Sequence, residues 1–182
     1  MLKTKDIIDE KDKRLREISK EVELPLSDED RKHIDEMIEY LTNSQIEELA
    51  EKYDLRPGMG LSAIQLGIPK RYFVVVNEYD EGKFENYIII NPKIVSNSME
   101  KIYVELGEGC LSVNREVDGI VPRYARVTVE GYDEEGNKIR VRAREEVAIA
   151  FQHEIDHLNG ILFYDHIDKK NPYKDQDKYR AI

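Results

Sequence analysis

The sequence predicts an α+β fold, in which small antiparallel sheets pack around a C-terminal helix that carries the pattern H-E-x-x-H. Three observations support this prediction. Apolar residues recur with helical spacing in one early segment, β-rich runs follow it, and a turn-rich stretch joins two of the runs as a hairpin. A helix with one apolar face must bury that face against another layer, and the strands are the layer that this chain provides.

The first helix is predicted over residues 28–42, and Ser27 can cap its N-terminus. Its apolar side chains have the spacing of one helical face: Ile34, Met37, Ile38 and Leu41. A second, short helical turn is predicted directly after it, from Ile46, Leu49 and Ala50.

Strands are predicted over residues 72–76, 87–90 and 102–106, which are rich in β-branched and aromatic residues. The last of these leads into a glycine-rich loop with the only cysteine of the chain. Residues 127–132 and 138–142 flank the turn sequence D-E-E-G-N, which is typical of a β-hairpin.

The last helix is predicted over residues 145–159, and Gly160 follows at the position where a helix commonly ends in the left-handed conformation. After about residue 168 the chain becomes a polar tail with little apolar patterning. At 182 residues, one domain over residues 1–182 is the simplest organisation, and it is large enough to bury a core.

The H-E-x-x-H pattern occupies residues 153–157 of this last helix. Residues four apart stand on one helical face, so His153 and His157 can bind one metal ion together. Glu154 lies beside them, where it can exchange a proton with a metal-bound water. The pattern therefore predicts a metal-binding helix and metal-assisted hydrolysis.

The third ligand is expected upstream of this helix. A metzincin protease would have a third histidine where Phe163 stands, and His166 lies three residues too late. The acidic residues of the polar tail are weak candidates for a thermolysin-like ligand. Cys110, in G-E-G-C-L-S, would complete a Cys/His2 set with an open fourth position. The alternative is a buried structural cysteine.

Three segments, in order, resemble the motifs of the peptide deformylase family: G-M-G-L-S-A-I-Q at 58–65, E-G-C-L-S at 108–112 and Q-H-E-I-D-H at 152–157. In the family they read G-x-G-L-A-A-x-Q, E-G-C-L-S and Q-H-E-x-D-H, and the similarity covers most of the chain. Ser62 stands where the family usually has Ala. Residues 43–57 resemble the longer, Gram-positive (type 2) form.

The resemblance implies hydrolysis of the N-formyl amide from the N-terminal formyl-methionine of newly made polypeptides, with release of formate. It implies Cys110, His153 and His157 as the metal ligands. Glu154 would take a proton from water and later deliver it to the leaving amine.

The resemblance also assigns the groups that bind the substrate. The developing oxyanion would accept hydrogen bonds from the side-chain amide of Gln65 and the backbone N–H of Leu111. Gly60 would let its backbone run along the substrate peptide in the manner of strand addition, and Gly58 would help to shape the same substrate-binding loop. The methionine side chain needs an apolar pocket, and nearness to the motifs selects four candidates: Met59, Leu61, Ile149 and Ala150.

A buried ion pair between Glu108 and Arg123 is predicted to fix the cysteine loop. Glu108 lies two residues before Cys110, and Arg123 ends an apolar run that follows it. Charged side chains that contact metal-binding residues can fix the orientation of those residues. The alternative is that both are solvated surface charges.

One divalent metal ion per chain is implied. Thiolate and imidazole ligands suit zinc, ferrous iron, cobalt and nickel alike. The resemblance implies Fe²⁺ in the cell, with Zn²⁺, Ni²⁺ or Co²⁺ able to substitute.

The net charge of −10 argues against a general nucleic-acid or anionic-membrane binder, because both need a basic surface. No run approaches the roughly 18 apolar residues of a membrane span. Residues 1–10 are charged, unlike a signal peptide, and one cysteine cannot form an intrachain disulfide. We therefore expect a cytoplasmic enzyme that binds neither nucleic acid nor membrane. The resemblance implies N-formylmethionyl nascent peptides as its partners. A transient ribosome contact stays open.

Two other classes use the same helix. A zinc peptidase would cut internal peptide bonds, but Phe163 and a Cys110 ligand speak against it. A non-catalytic, metal-stabilised module would need a fourth protein ligand, from His33, His166 or an acid. Glu154 and Gln65, which a closed site would not need, favour the enzyme.

Overall fold

The computed structural model describes residues 1–182 and contains three α-helices: α1 over Asp28–Gln45, α2 over Glu47–Tyr53 and α3 over Glu145–Leu158. The side chain of Ser27 accepts a hydrogen bond from the Asp30 N–H at 3.1 Å, so the predicted cap is confirmed. Helix α1 begins as predicted and runs three residues further than residue 42.

The larger sheet has five strands in the order β1-β2-β3-β6-β7, and every neighbouring pair is antiparallel. Its strands are β1 (Gly60–Ser62), β2 (Tyr72–Asp80), β3 (Lys83–Asn97), β6 (Arg126–Tyr132) and β7 (Lys138–Arg144). The predicted hairpin is confirmed as β6 and β7. The two earlier predicted strands are confirmed as parts of longer strands, since residues 72–76 begin β2 and residues 87–90 lie inside β3.

The smaller sheet has the order β5-β4-β8, with β4 over Lys101–Tyr103, β5 over Arg123–Tyr124 and β8 over Arg180–Ala181. The prediction of a strand up to residue 106 is wrong for its last three residues, and Leu106 is 98% exposed. The polar tail ends in β8, which pairs in parallel with β4. This pairing joins residues far apart in the sequence, so local patterning carried no sign of it.

Strand β2 is the centre of the core because both of its faces are buried. Val74 and Val76 pack with the α1 side, whereas Phe73 and Val75 pack with α3. Side chains in a strand alternate between faces, so a strand covered on both sides reads as a continuous apolar run. This explains the uninterrupted Y-F-V-V-V of residues 72–76.

Helix α3 ends one residue before its predicted limit, and Gly160 has φ of +72°, as expected for a left-handed terminus. A β-carbon at Gly160 would also collide with the backbone carbonyl of Arg16, so glycine is required there for two reasons. None of the helices combines the length and the apolar character that a membrane crossing requires.

Candidate metal centre

Three predicted ligands converge at the base of a cleft. The ligand atoms of Cys110, His153 and His157 all lie within 4.8 Å of one another. The Cys110 sulfur is 3.3 Å from Nε2 of His157. Helix α3 presents both imidazoles one turn apart, and the loop after β4 brings the thiol to them.

The chemistry of this set fits a divalent ion of borderline softness. Two imidazoles and one thiolate are three protein ligands, and a fourth position stays open. Burial and the neighbouring His153 lower the pKa of His157 well below its ordinary value, which favours the neutral ring that a metal needs. Phe163 cannot bind metal and instead stacks on the His153 ring, with 6.1 Å between the ring centres.

Behind the ligands, Glu108 and Arg123 form the predicted ion pair. Both nitrogen-to-oxygen distances are 2.9 Å, and both side chains are 4% exposed. Oε2 of Glu108 lies 3.7 Å from Nδ1 of His153, so the pair reaches the ligand shell. Burial alone would raise the pKa of Glu108, but the His153 ring and the Arg123 charge lower it to about 2. The carboxylate is therefore ionised at neutral pH.

The pair belongs to a larger cluster, which we call the Glu108 cluster: Glu108, Arg123, Asp156 and His166. Arg123 also donates to Asp156 at 2.6 Å, and Asp156 lies 2.7 Å from Nε2 of His166. The sequence patterns indicated no role for Asp156, although this residue lies between the two histidine ligands in the sequence.

Arg56 is a second residue that sequence reasoning missed. Its guanidinium donates to the carbonyls of Cys110 at 2.9 Å and Val113 at 2.7 Å, which holds the cysteine loop from the other side. These contacts span more than fifty residues, and no local pattern marks Arg56 for this position.

Glu154 is 3% exposed, and its Oε2 has no hydrogen-bond partner within the protein. Burial raises its pKa to about 7, although the His153 charge and the Ser62 hydroxyl act in the opposite direction. A β-carbon at Gly60 would lie 2.5 Å from Oε1 of Glu154, so the glycine allows the strand to pass close to this carboxyl.

The side-chain amide of Gln65 is held in one orientation. Its Oε1 accepts from the N–H and the hydroxyl of Ser62 at 3.0 and 3.1 Å. Its Nε2 donates to the Ser112 hydroxyl at 3.0 Å and lies 3.8 Å from the Cys110 sulfur. The amide N–H groups therefore face the cysteine, and Ser62, the departure from the family pattern, contributes to this orientation.

These groups open into a cleft of about 330 Å³ that five of the predicted substrate-binding residues line: Gly58, Met59, Gly60, Ile149 and Ala150. Val104 and Leu111 add apolar surface, and the Leu111 N–H donates no hydrogen bond within the protein. The placement of Leu61 in this pocket is wrong. Leu61 is fully buried in the core beside α1, because neighbouring residues of a strand face opposite sides.

The chain is similar to known proteins in both its sequence and its structure. The family model for polypeptide deformylase matches residues 4–173. The chain is 50% identical to peptide deformylase 2 of Bacillus subtilis over 182 residues, which cover 100% of this chain and 99% of that protein. It is 52% identical to a peptide deformylase of Macrococcus caseolyticus, with both chains covered fully. A crystal structure of a probable peptide deformylase from Synechococcus phage S-SSM7 matches with a TM-score of 0.72 and 34% identity, over 88% of this chain and 98% of that one.

Proposed function

The chain belongs to the polypeptide deformylase family, in agreement with the type 2 resemblance of its sequence, and on this basis we propose its reaction. It hydrolyses the N-formyl amide of formyl-methionine at the N-terminus of newly made polypeptides and releases formate. One observation carries the proposal: the thiol and two imidazoles converge within 4.8 Å at the base of a cleft that Glu154 and Gln65 also line.

Cys110, His153 and His157 would hold one divalent ion. When bound, the ion supplies a Lewis acid for the formyl oxygen and makes water a stronger nucleophile near neutral pH. Ferrous iron is the ion that we propose for the cell, with Zn²⁺, Ni²⁺ or Co²⁺ as substitutes, since thiolate and imidazole suit all of them.

Gln65 and Leu111 stabilise the charge that develops on the formyl oxygen. The Gln65 amide is oriented before the substrate arrives, because Ser62 holds its oxygen and leaves the N–H groups toward the cysteine. The Leu111 N–H lacks a partner within the protein, so it can donate without breaking an existing bond. Donors fixed in advance stabilise an oxyanion at no reorganisation cost.

Glu154 moves the proton. Water adds to the formyl carbon, its proton passes to the carboxylate, and the C–N bond breaks as that proton reaches the leaving amine. The free Oε2 and the buried setting of Glu154 support this role, because a carboxyl engaged in a permanent ion pair could not exchange protons readily.

The rest of the cleft binds the peptide. Met59, Ile149 and Ala150 line it and can receive an unbranched apolar side chain, with Val104 as an addition to the predicted set. Gly60 lies in β1, the edge strand of the larger sheet, and its free side can pair with an extended substrate backbone. Residues 1–182 would work as one catalytic unit in the cytoplasm, where formylated chains are made.

Formate release from formyl-Met-Ala-Ser tests the reaction, with enzyme loaded with iron under anaerobic conditions. We expect turnover with one metal ion per chain, and no cleavage of internal bonds in an unformylated peptide. Cys110→Ala should lose both the metal and the activity. Cleavage of internal peptide bonds, or full turnover by metal-free protein, would contradict the proposal.

A further inference from the structure

One face of the larger sheet carries an ordered row of basic side chains. In β7, four basic residues alternate with apolar ones and are all exposed, and we call them the arginine column: Lys138, Arg140, Arg142 and Arg144. Alternate residues of a strand lie on one face, about 6.8 Å apart along it. Helix α1 covers this face of the sheet over β1, β2 and β3, whereas the column itself faces solvent.

Few acidic groups neutralise the column. Glu130, on the neighbouring strand, lies 3.2 Å from Arg140. Lys138, Arg142 and Arg144 form no ion pair with any acidic group, and Arg144 lies directly opposite Arg126 in the register of the two strands. Like charges opposite each other are unfavourable. Glu100 pairs with Arg126 at 3.2 Å, and the charge of Glu145, whose carboxylate also binds Arg180, acts on both Arg126 and Arg144. The face therefore holds surplus positive charge.

Two residues of the column, Arg142 and Arg144, border a shallow groove of about 520 Å³ together with Arg126, and the other wall of this groove is polar. Ser96, Asn97 and Ser98 form that wall, and Thr128 lies on the floor. Val127 and Ala143 also border the groove, but both are buried, so it offers no large apolar side chain for insertion into a lipid layer.

We propose that this face docks on the phosphate backbone of double-helical RNA. The guanidinium group of arginine can donate two parallel hydrogen bonds to the oxygens of one phosphate. Basic side chains repeated along a strand suit the regular spacing of phosphates along a nucleic-acid backbone. Duplex RNA is recognised mainly through phosphates and 2′-hydroxyls across its shallow groove, and the Ser and Asn side chains of the opposite wall can meet those hydroxyls.

The acidic remainder of the protein gives the contact its direction. With a net charge of −10, a polyanion repels the protein as a whole, so close approach requires local positive charge such as the charge on this face. Helix α3, which carries the catalytic histidines, packs on the opposite face of the same strands, and the arginine column does not line the cleft. Docking therefore leaves the cleft accessible. The choice of RNA also rests on the proposed substrate, since nascent chains emerge from an RNA-rich particle.

Fluorescence anisotropy with a labelled RNA duplex of about 20 base pairs tests the proposal on metal-loaded full-length protein. Neutralising about three phosphates predicts a slope of log K against log salt of about −2.7. Replacing Lys138, Arg142 and Arg144 together by Gln should lower RNA affinity at least about tenfold at low salt. The same variant should cleave formyl-Met-Ala-Ser normally, because none of these residues lines the cleft.

The matched control is K13Q/K169Q/K170Q, which removes the same charge from exposed lysines that form no ion pair. It should bind RNA within about twofold of the unmodified protein, since its charges lie off the docking face. The single variant R142Q serves if the triple variant does not fold, with a smaller loss expected.

Several results would overturn the proposal. They are absent or salt-independent binding of RNA, equal affinity for a DNA duplex, binding to anionic lipid vesicles in preference to RNA, and equal losses in the two triple variants. The proposal would also be overturned if the column variant aggregated while its monomer kept the same RNA affinity. The charges on this edge strand would then act to prevent pairing between sheets and not to bind RNA. Activity on the short peptide is measured separately, so a failed docking test leaves the proposed reaction untouched.

Discussion

The Glu108 cluster and the sheet face that carries the arginine column contain the same kinds of charged side chain in different environments. In the cluster, Arg123 is 4% exposed and holds two carboxylates, at 2.9 and 2.6 Å. On the sheet face, Arg126 is 57% exposed and reaches a single carboxylate at 3.2 Å. Its neighbour Arg142 reaches none.

Solvent explains why the two regions can differ in this way. A buried charge without a partner costs several kcal/mol, so Glu108 and Arg123, the buried members of the cluster, must be paired and are thereby fixed in place. An exposed ion pair contributes at most about 1 kcal/mol, so a surface arginine can stay unpaired at little cost. Buried charge is therefore suited to hold ligands in position, and exposed charge is suited to meet a partner.

The largest expected effect comes from the same substitution at a buried and an exposed position of α3. Glu154→Gln should lower kcat by about 10²–10⁴ while the metal stays bound, because the amide cannot carry a proton. Glu146 lines the same cleft but is exposed, so Glu146→Gln should change kcat less than about threefold. Formate-release assays and metal analysis on both variants measure these effects. Equal losses of kcat in the two variants would contradict the special role of the buried Glu154.

A neutral buried group should have the next largest effect. Gln65→Leu should lower kcat by about 10²–10³ with little change in KM, because the donor matters most when charge builds on the formyl oxygen. Gln65→Glu keeps the shape but adds negative charge, so it should be at least as slow. A rise in KM at constant kcat would show that Gln65 only binds the substrate.

The comparison of the two arginines is tested directly by Arg123→Met and Arg126→Met. The first leaves Glu108 and Asp156 without their partner and should cost about 3–5 kcal/mol of unfolding free energy. Metal affinity should fall by about 10–100-fold, since Glu108, which lies 3.7 Å from His153, loses the arginine that holds it in place. The second should cost at most about 1 kcal/mol. Urea unfolding and metal competition provide the measurements, and similar costs for the two would refute the contrast.

The sequence was sufficient for features that depend on local pattern. The last helix was predicted over residues 145–159 with Gly160 after it, close to the observed α3, and the H-E-x-x-H pattern within it predicted two residues of the metal cluster. It failed where distant segments meet. No periodic pattern in the sequence indicates that β8 pairs with β4 or that Arg56 donates hydrogen bonds to the cysteine loop.

The distribution of charge over the surface is the second feature that the sequence did not predict. The net charge of −10 gave no hint of a basic face, because a sum over the chain discards position. The alternation in K-I-R-V-R-A-R was visible, but its exposed side became known only from the packing of α3 against the other side. Leu61 is a similar case. The side of the sheet on which its side chain lies is set by β1, a strand that was not predicted.

The smallest expected effect concerns Ser62, the residue that departs from the family pattern. Its hydroxyl donates to Oε1 of Gln65 at 3.1 Å, and its backbone N–H donates to the same atom at 3.0 Å. Ser62→Ala keeps the second bond and loses the first. A neutral hydrogen bond contributes about 0.5–1.5 kcal/mol, which corresponds to about 2–10-fold in kcat if all of it orients the amide.

Ser19→Ala is the matched control for this change, because Ser19 is 3% exposed and its hydroxyl has no hydrogen-bond partner. It should leave kcat unchanged. If Ser62 orients Gln65, Ser62→Ala should also lose its effect in a Gln65→Leu background, where no amide remains to be held. Steady-state kinetics on the two single variants and the double variant measure this coupling. Additive losses would mean that Ser62 acts on the cleft by another route, most directly through Glu154, whose carboxyl its hydroxyl also influences.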